Sequence, residues 1–301
     1  MTTNVQRDLT RKLLERMQSG DLPWRKQWEH TGVATMPFNW STKDGYTGIN
    51  IVILWMAMDD FGYEHNAWLT FKQAQALGGR VRKGEKGVGC VYYKTLTREV
   101  DTPNGGTEEQ SFPMLKRFTV FNIAQIDGLE DLPQQPEIRE YEETEIVNAV
   151  DQIASVYCKA TGLCIVRGGN RCFYRPSTDE VHLVRQFVDG PAYAGVLIHE
   201  LIHSTGHKSR LARPRITGAE SDKKAIAFEE LVAELGAAFG CAEIGIQGRY
   251  DDHASYLQSW MSALENDERY FFRAAAAASL AHRFLMNGGE IEQTVRKTDV
   301  A

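Results

Sequence analysis

The run Tyr193-Ala194-Gly195-Val196-Leu197-Ile198-His199-Glu200-Leu201-Ile202-His203 places two histidines and a carboxylate in a stretch whose apolar residues recur at helical spacing. On a helix, His199 and His203 share one face about a turn apart, where both ring nitrogens reach a single divalent cation. Glu200, directly after the first histidine, then sits beside the open position of that ion. From there it can take a proton from a coordinated water and pass it to a leaving amine, the division of labour in a zinc peptidase. The apolar flanks predict a buried helix, as such a site requires.

A third protein ligand should come from another element. The segment Phe228-Glu229-Glu230-Leu231-Val232-Ala233-Glu234-Leu235-Gly236-Ala237-Ala238-Phe239 is a strongly apolar helix that carries three carboxylates. Buried carboxylates are costly unless they bind a metal or pair with something. Glu230 and Glu234 share a face at i, i+4, which makes Glu230 the simplest third ligand and Glu234 the acceptor for the free ring N–H of a ligating histidine. Glu229 lies about 100° away on the helix, and spacing alone leaves it open as the alternative ligand. His207 extends the histidine series to i+8. On a continuous helix it would lie about 12 Å from His199 along the axis, too far to share one ion, so it reads as a flanking residue beyond a helix end at Gly206. Zn²⁺ suits the expected donor set, and mixed nitrogen and oxygen ligation also admits Mn²⁺ or Ni²⁺.

The chain has 301 residues, 43% of them apolar and 25% charged, which is ordinary globular composition and long enough for two domains. The first residues lack the apolar core of an export signal, and no run approaches a membrane span; the expectation is a cytoplasmic protein with no membrane partner. Five cysteines without a C-x-x-C pair predict reduced, mostly buried thiols rather than a disulfide framework or a cysteine zinc site.

The net charge of −6 is unevenly spread. Residues 1–126 hold 16 Lys and Arg against 13 Asp and Glu, while residues 127–301 hold 18 against 27. Between residues 65 and 98 stand Lys72, Arg80, Arg82, Lys83, Lys86, Lys94 and Arg98 with only Glu85 opposing them, a stretch suited to a polyanion.

The first half predicts helices over about 4–19 and 48–61, the latter followed by a short helix that Gly78-Gly79 stops. Two strands are expected around the tight basic turn of residues 80–94, and another strand at 116–121. Pro133, Pro136 and a cluster of carboxylates then mark an acidic linker over 127–142. The second half predicts helices at 143–161 and 270–286 besides the two already described, and strands at 163–167, 172–175 and 180–184. A small sheet packed on helices follows, with an edge strand beside the metal to hold a substrate backbone.

Tryptophans crowd the first half. Trp55 and Trp68 lie in apolar patterns and read as core. Trp24, Trp28 and Trp40 stand in polar loops beside Arg25, Lys26 and Lys43, with Lys72 further on; rings that stack on bases, interleaved with cations that neutralise phosphates, are what single-stranded nucleic acid needs. Burial in a core is the competing reading for these three. The Lys83-Gly84-Glu85-Lys86-Gly87 turn lacks the order of a nucleotide phosphate loop.

Taken together, the chain resembles the ArdC-type antirestriction proteins of conjugative plasmids. The resemblance rests on Trp24-Arg25-Lys26, Tyr46-Thr47-Gly48-Ile49-Asn50, Trp68-Leu69-Thr70-Phe71-Lys72-Gln73, Lys83-Gly84-Glu85-Lys86-Gly87 and Val120-Phe121-Asn122 in the first half. In the second it rests on His199-Glu200-Leu201-Ile202-His203-Ser204-Thr205-Gly206-His207 and residues 228–239. It implies an α+β chain of two domains, with a single-stranded-DNA-binding domain over 1–126 and a zincin-like metallopeptidase domain over 143–301, similar to the SprT/Spartan and IrrE groups. The expected DNA-binding residues are Trp24, Arg25, Lys26, Trp40, Lys43, Tyr46, Lys72, Lys83 and Lys86. The implied role is to protect incoming DNA from host restriction; the resemblance names no protein substrate, and the leading reading adds cleavage of a host or DNA-bound protein by the metal domain. A zinc endopeptidase without a DNA role is the alternative; a purely structural metal site would have no use for Glu200.

Overall fold

The computed structural model describes residues 2–25, 35–101, 107–130, 142–246 and 254–290. Lys26, Trp28 and most of the expected linker, 131–141, lie outside the described residues. The chain forms two compact units, Met1–Pro23 with Pro37–Pro136, and Trp24–Met36 with Glu137–Ala301. The sequence suggested one boundary. Instead residues 24–36 belong to the second unit, because Trp24 is fully buried there, its ring 6.3 Å from Trp260 and 5.4 Å from Phe271.

In the first unit, α1 (Thr2–Gln18) precedes β1 (Phe38–Asn39) and α2 (Ile49–Phe61). α2 is buried over Ile51, Val52, Ile53, Leu54 and Trp55, nearly all round its circumference, as a helix through a core must be. Gly62 closes it in the left-handed conformation at φ 64°. Then come β2 (Ala67–Thr70), α3 (Phe71–Ala76), β3 (Arg80–Val81), β4 (Val88–Asp101), β5 (Thr107–Asn122) and β6 (Ile126–Asp127). The main sheet has the order β1-β2-β5-β4, with β1 and β2 parallel and the other pairs antiparallel.

The strands flanking the basic turn do not form a hairpin with each other, contrary to the simplest reading of that stretch. β3 pairs with β6, and β4 pairs with β5 over a ladder running from Val88↔Val120 to Asp101↔Thr107. Gln125 fixes the crossing: its backbone oxygen accepts Arg82 N at 3.0 Å, and its side-chain amide donates to Lys86 O at 3.1 Å. A long ladder with β5 satisfies more backbone groups than the short hairpin could.

The second unit contains α4 (Glu143–Thr161), β7 (Cys164–Arg167), β8 (Phe173–Arg175), β9 (Glu180–Leu183), α5 (Gly190–Thr205), α6 (Pro214–Thr217), α7 (Lys223–Glu243), α8 (Ala254–Asn266) and α9 (Tyr270–Met286). Its sheet has the order β7-β9-β8, with β8 antiparallel at one edge. Helices 143–161 and 270–286 stand where periodicity put them. α8 was not anticipated; it buries Trp260 and Leu264, an i, i+4 pair too short to declare an apolar face. Among the described residues, no helix is long and apolar enough to cross a membrane.

Gly236 and Gly240 of α7 bring α5 close. A Cβ at Gly236 would stand 2.9–3.1 Å from the Ile202 side chain, and one at Gly240 2.9 Å from Ile198. Only the bare backbone permits this approach, which sets the carboxylates of α7 opposite the histidines of α5.

Candidate metal centre

α5 is anchored at both ends. Asp189 Oδ1 accepts Ala192 N at 2.9 Å at its start. At its C-terminus, where carbonyls lack helical partners, two arginines donate to them: Arg213 Nη2 to Ile202 O at 2.7 Å, and Arg210 Nε to Ser204 O at 2.8 Å. The helix ends before Gly206, and His207 beyond it meets Ser209 Oγ at 2.7 Å, in keeping with a flanking role.

His199 Nε2 and His203 Nε2 face each other at 3.1 Å, and the Glu230 carboxylate oxygens lie 3.7 Å from each ring nitrogen. Ligands about 2.1 Å from a tetrahedral zinc stand roughly 3.4 Å apart, so this donor set fits such an ion. Among the described residues, His199, His203 and Glu230 are the group whose ligand atoms converge, all within 4.8 Å of one another.

The other face of His203 is held by Glu229, whose Oε1 lies 3.1 Å from Nδ1. Glu229 is in turn clamped by Arg213, with Nε to Oε2 at 2.8 Å and Nη2 to Oε1 at 2.6 Å, and Arg213 Nη1 reaches Thr205 Oγ1 at 2.7 Å. A carboxylate on Nδ1 sets the tautomer that turns the Nε2 lone pair toward the site. The expected acceptor of a ring N–H was Glu234, one turn further along α7; the carboxylate found on the His203 ring is Glu229. Glu234, fully buried, accepts Arg25 Nε at 2.7 Å. The i, i+4 rule ranked Glu234 by its own helix. It carried no information about Arg25, which arrives from 209 residues away.

Electrostatics agree with a cation site. Burial opposes protonation of His203, yet the hydrogen bonds and charges of Glu229 and Glu230 push its pKa up to about 10. Burial also disfavours ionised Glu230, but His199 and His203 hold its carboxyl well below the usual range. Glu229 is lowered against burial mainly by Arg213. Two ionised carboxylates beside one imidazole call for positive charge, whether a proton or a metal ion supplies it.

A cavity of about 400 Å³ opens over these groups. Glu200 lines it beside His199, with Phe173 and Tyr174 of the edge strand β8, and Arg215 and Tyr256 on the opposite elements. An edge strand therefore borders the site, as the sequence suggested.

The residues expected to meet DNA are dispersed. Trp24 and Arg25 are built into the second unit. Trp40 is half-buried against the cluster of Ala67, Leu69 and Ala74, and Lys43 Nζ stands 3.0 Å from its ring centroid. Tyr46 is half-buried, and burial raises its hydroxyl pKa. Lys43, Lys72, Lys83 and Lys86 are exposed on the first unit.

The sequence pattern of the family described as the N-terminal domain of anti-restriction factor ArdC matches residues 3–121, and that of a zincin-like metallopeptidase family matches residues 152–277. Protein y4eC of Sinorhizobium fredii is 36% identical over 285 residues, covering 92% of this chain and 89% of its own. DNA primase TraC of Escherichia coli is 37% identical over 292 residues, 91% of this chain but only 19% of that protein. Among solved structures, the metal-free antirestriction protein ArdC from plasmid R388 superposes with a TM-score of 0.78 at 37% identity, over 94% of this chain and 97% of that one. The Mn(II)-bound form of the same protein gives 0.76 at 36% identity, over 96% and 99%.

Proposed function

The chain belongs to the ArdC antirestriction family, and on that premise we propose that it binds single-stranded DNA with its first unit and hydrolyses peptide bonds with its second, protecting incoming DNA from host restriction. The single observation that carries the hydrolytic half is the convergence of His199, His203 and Glu230 with Glu200 beside them in one cavity. The Mn(II)-bound R388 relative supports a divalent ion here; the donor set favours Zn²⁺ and also suits Mn²⁺ or Ni²⁺.

Held by those three residues, the ion would lower the pKa of a water and polarise a peptide carbonyl. Glu200 takes the proton of the attacking water and returns it to the departing amine. Glu229, fixed by Arg213, keeps the His203 ring in its tautomer and orientation. β8 offers its free edge to an extended substrate backbone, and the substrate class that follows is a protein segment without local fold, on a host or DNA-bound protein.

Metal analysis and peptidase assays of the full chain test this reading. His203→Ala should lose the ion, and Glu200→Gln should keep the ion while losing hydrolysis. An ion bound away from both histidines, or retained by His203→Ala, would refute the assignment.

A further inference from the structure

Phe71 lies inside the motif Trp68-Leu69-Thr70-Phe71-Lys72-Gln73. It is the first residue of α3, where the capping box of Thr70 and Gln73 fixes the backbone, and the residue is 49% exposed. Exposing an aromatic ring at so ordered a position gains the fold nothing. The ring stands edge-on to Phe121 at 6.4 Å.

Phe121 begins a row. Alternation along β5 puts Phe121, Thr119 and Arg117 on one face of the sheet, while Val120 and Asn122 are buried on the other. Opposite them the chain has two glycines where side chains would intrude. A Cβ at Gly87 would fall 2.4 Å from Thr119 Cγ2 and 3.0 Å from Phe121 Cε1, and one at Gly89 would fall 2.3 Å from Arg117 Nε. The bare backbone at Gly89 is thus the seat of the Arg117 guanidinium. Phe71, Phe121, Thr119 and Arg117 form one continuous strip, about 13 Å long between the β5 ends.

The strip is bordered by cations. Lys72 follows Phe71, Lys86 precedes Gly87, and both are exposed, as is Arg117. Among the described residues, none of the three is ion-paired. The acid of the turn, Glu85, is already engaged by Arg82 at 2.9 Å and by Gln125 at 2.9 Å. Phe61, also exposed, follows Asp59 and Asp60 and has the wrong charge beside it for a polyanion. Trp40 has Lys43 over its ring, and Trp24, Trp55 and Trp68 are buried.

We infer that single-stranded DNA lies across this strip, with a base stacked on Phe71 and phosphates on Lys72, Lys86 and Arg117. The inference rests on the single-stranded-DNA reading above and replaces the tryptophan loops as the contact surface. Stacking on an exposed ring requires unpaired bases and tolerates any sequence. The cations make binding fall with salt.

The test is binding of a fluorescent oligothymidine by the full-length protein and its variants over a range of salt. Phe71→Ala should weaken binding about fivefold to a hundredfold, with Phe71→Trp restoring it and Phe61→Ala without effect. Arg117→Gln should flatten the salt dependence by about one phosphate. Gly89→Ala should act in the same direction, because its Cβ displaces only the mobile end of Arg117. Wild-type protein that binds while Phe71→Ala and Arg117→Gln bind equally well overturns the strip. Wild-type protein that binds no oligonucleotide removes the DNA reading together with the strip. Loss of binding to an acidic peptide but not to oligothymidine would make the strip a protein interface and overturn the inference as well.

Discussion

The metal centre and the cationic strip handle charge in opposite ways. In the second unit charges are buried and answered: Glu229 by Arg213 and His203, Glu234 by Arg25, Glu230 by two imidazoles. On the first unit Lys72, Lys86 and Arg117 are exposed and, among the described residues, without a carboxylate partner. A buried network fixes atoms to a fraction of an ångström, as bond-making requires, and it suffers when any member is removed. An exposed set of cations keeps its side chains mobile and screened, which suits a ligand that is read by charge and stacking rather than by shape.

Substitutions should divide accordingly. The largest effect is expected for Glu200→Gln, which should lower peptide hydrolysis about 10²- to 10⁴-fold with metal content and oligonucleotide affinity unchanged. Metal loss in that variant would make Glu200 a ligand and redraw the centre.

Arg213→Met should follow, leaving Glu229 buried without its main countercharge and destabilising the protein by about 3–5 kcal/mol in denaturant unfolding. A variant as stable as the parent would mean that the Glu229 network contributes little to the second unit. Trp24→Ala should create a cavity beside Trp260 and Phe271 and also cost about 3–5 kcal/mol, while oligonucleotide binding by the folded protein stays within twofold. A large loss of affinity at unchanged stability would return Trp24 to the DNA surface and blur the contrast between the two regions.

Metal binding should depend on pH in a defined window. Without metal, the pKa of His203 is raised from 6.5 to about 10, so the protonated ring stabilises the fold fully below about pH 6.5, and that contribution is lost as pH rises through 10. A metal must displace this proton. Its affinity should therefore climb about tenfold per pH unit between those values, with about one proton released on binding, measurable by calorimetry in buffers of different ionisation enthalpy. A flat profile would mean that His203 is neutral before the metal arrives. The smallest effect is expected for Lys83→Gln, which should change stability by less than about 0.5 kcal/mol and reduce the salt slope of oligonucleotide binding by at most about one.

Much of the centre was legible in the sequence because helical geometry is local. The i, i+4 spacing alone sets His199 and His203 on one face, and the apolar runs around them and around Glu230 mark two buried helices, so the partnership of α5 and α7 could be anticipated. The same locality supplied most helices and the three short strands of the second unit. Tertiary structure decided what adjacency along the chain cannot encode. Glu229 rather than Glu234 lies on His203 because Arg213, brought round by the turn after Gly206, holds it there. Trp24 and Arg25, read as surface residues of a basic loop, fill the core of the second unit, since burial depends on which distant ring or carboxylate lies opposite. Phe71 joins Phe121 and Arg117 only through the pairing of β2 with β5, which brings the start of α3 to a face of β5 that spacing along the chain leaves unrelated to it.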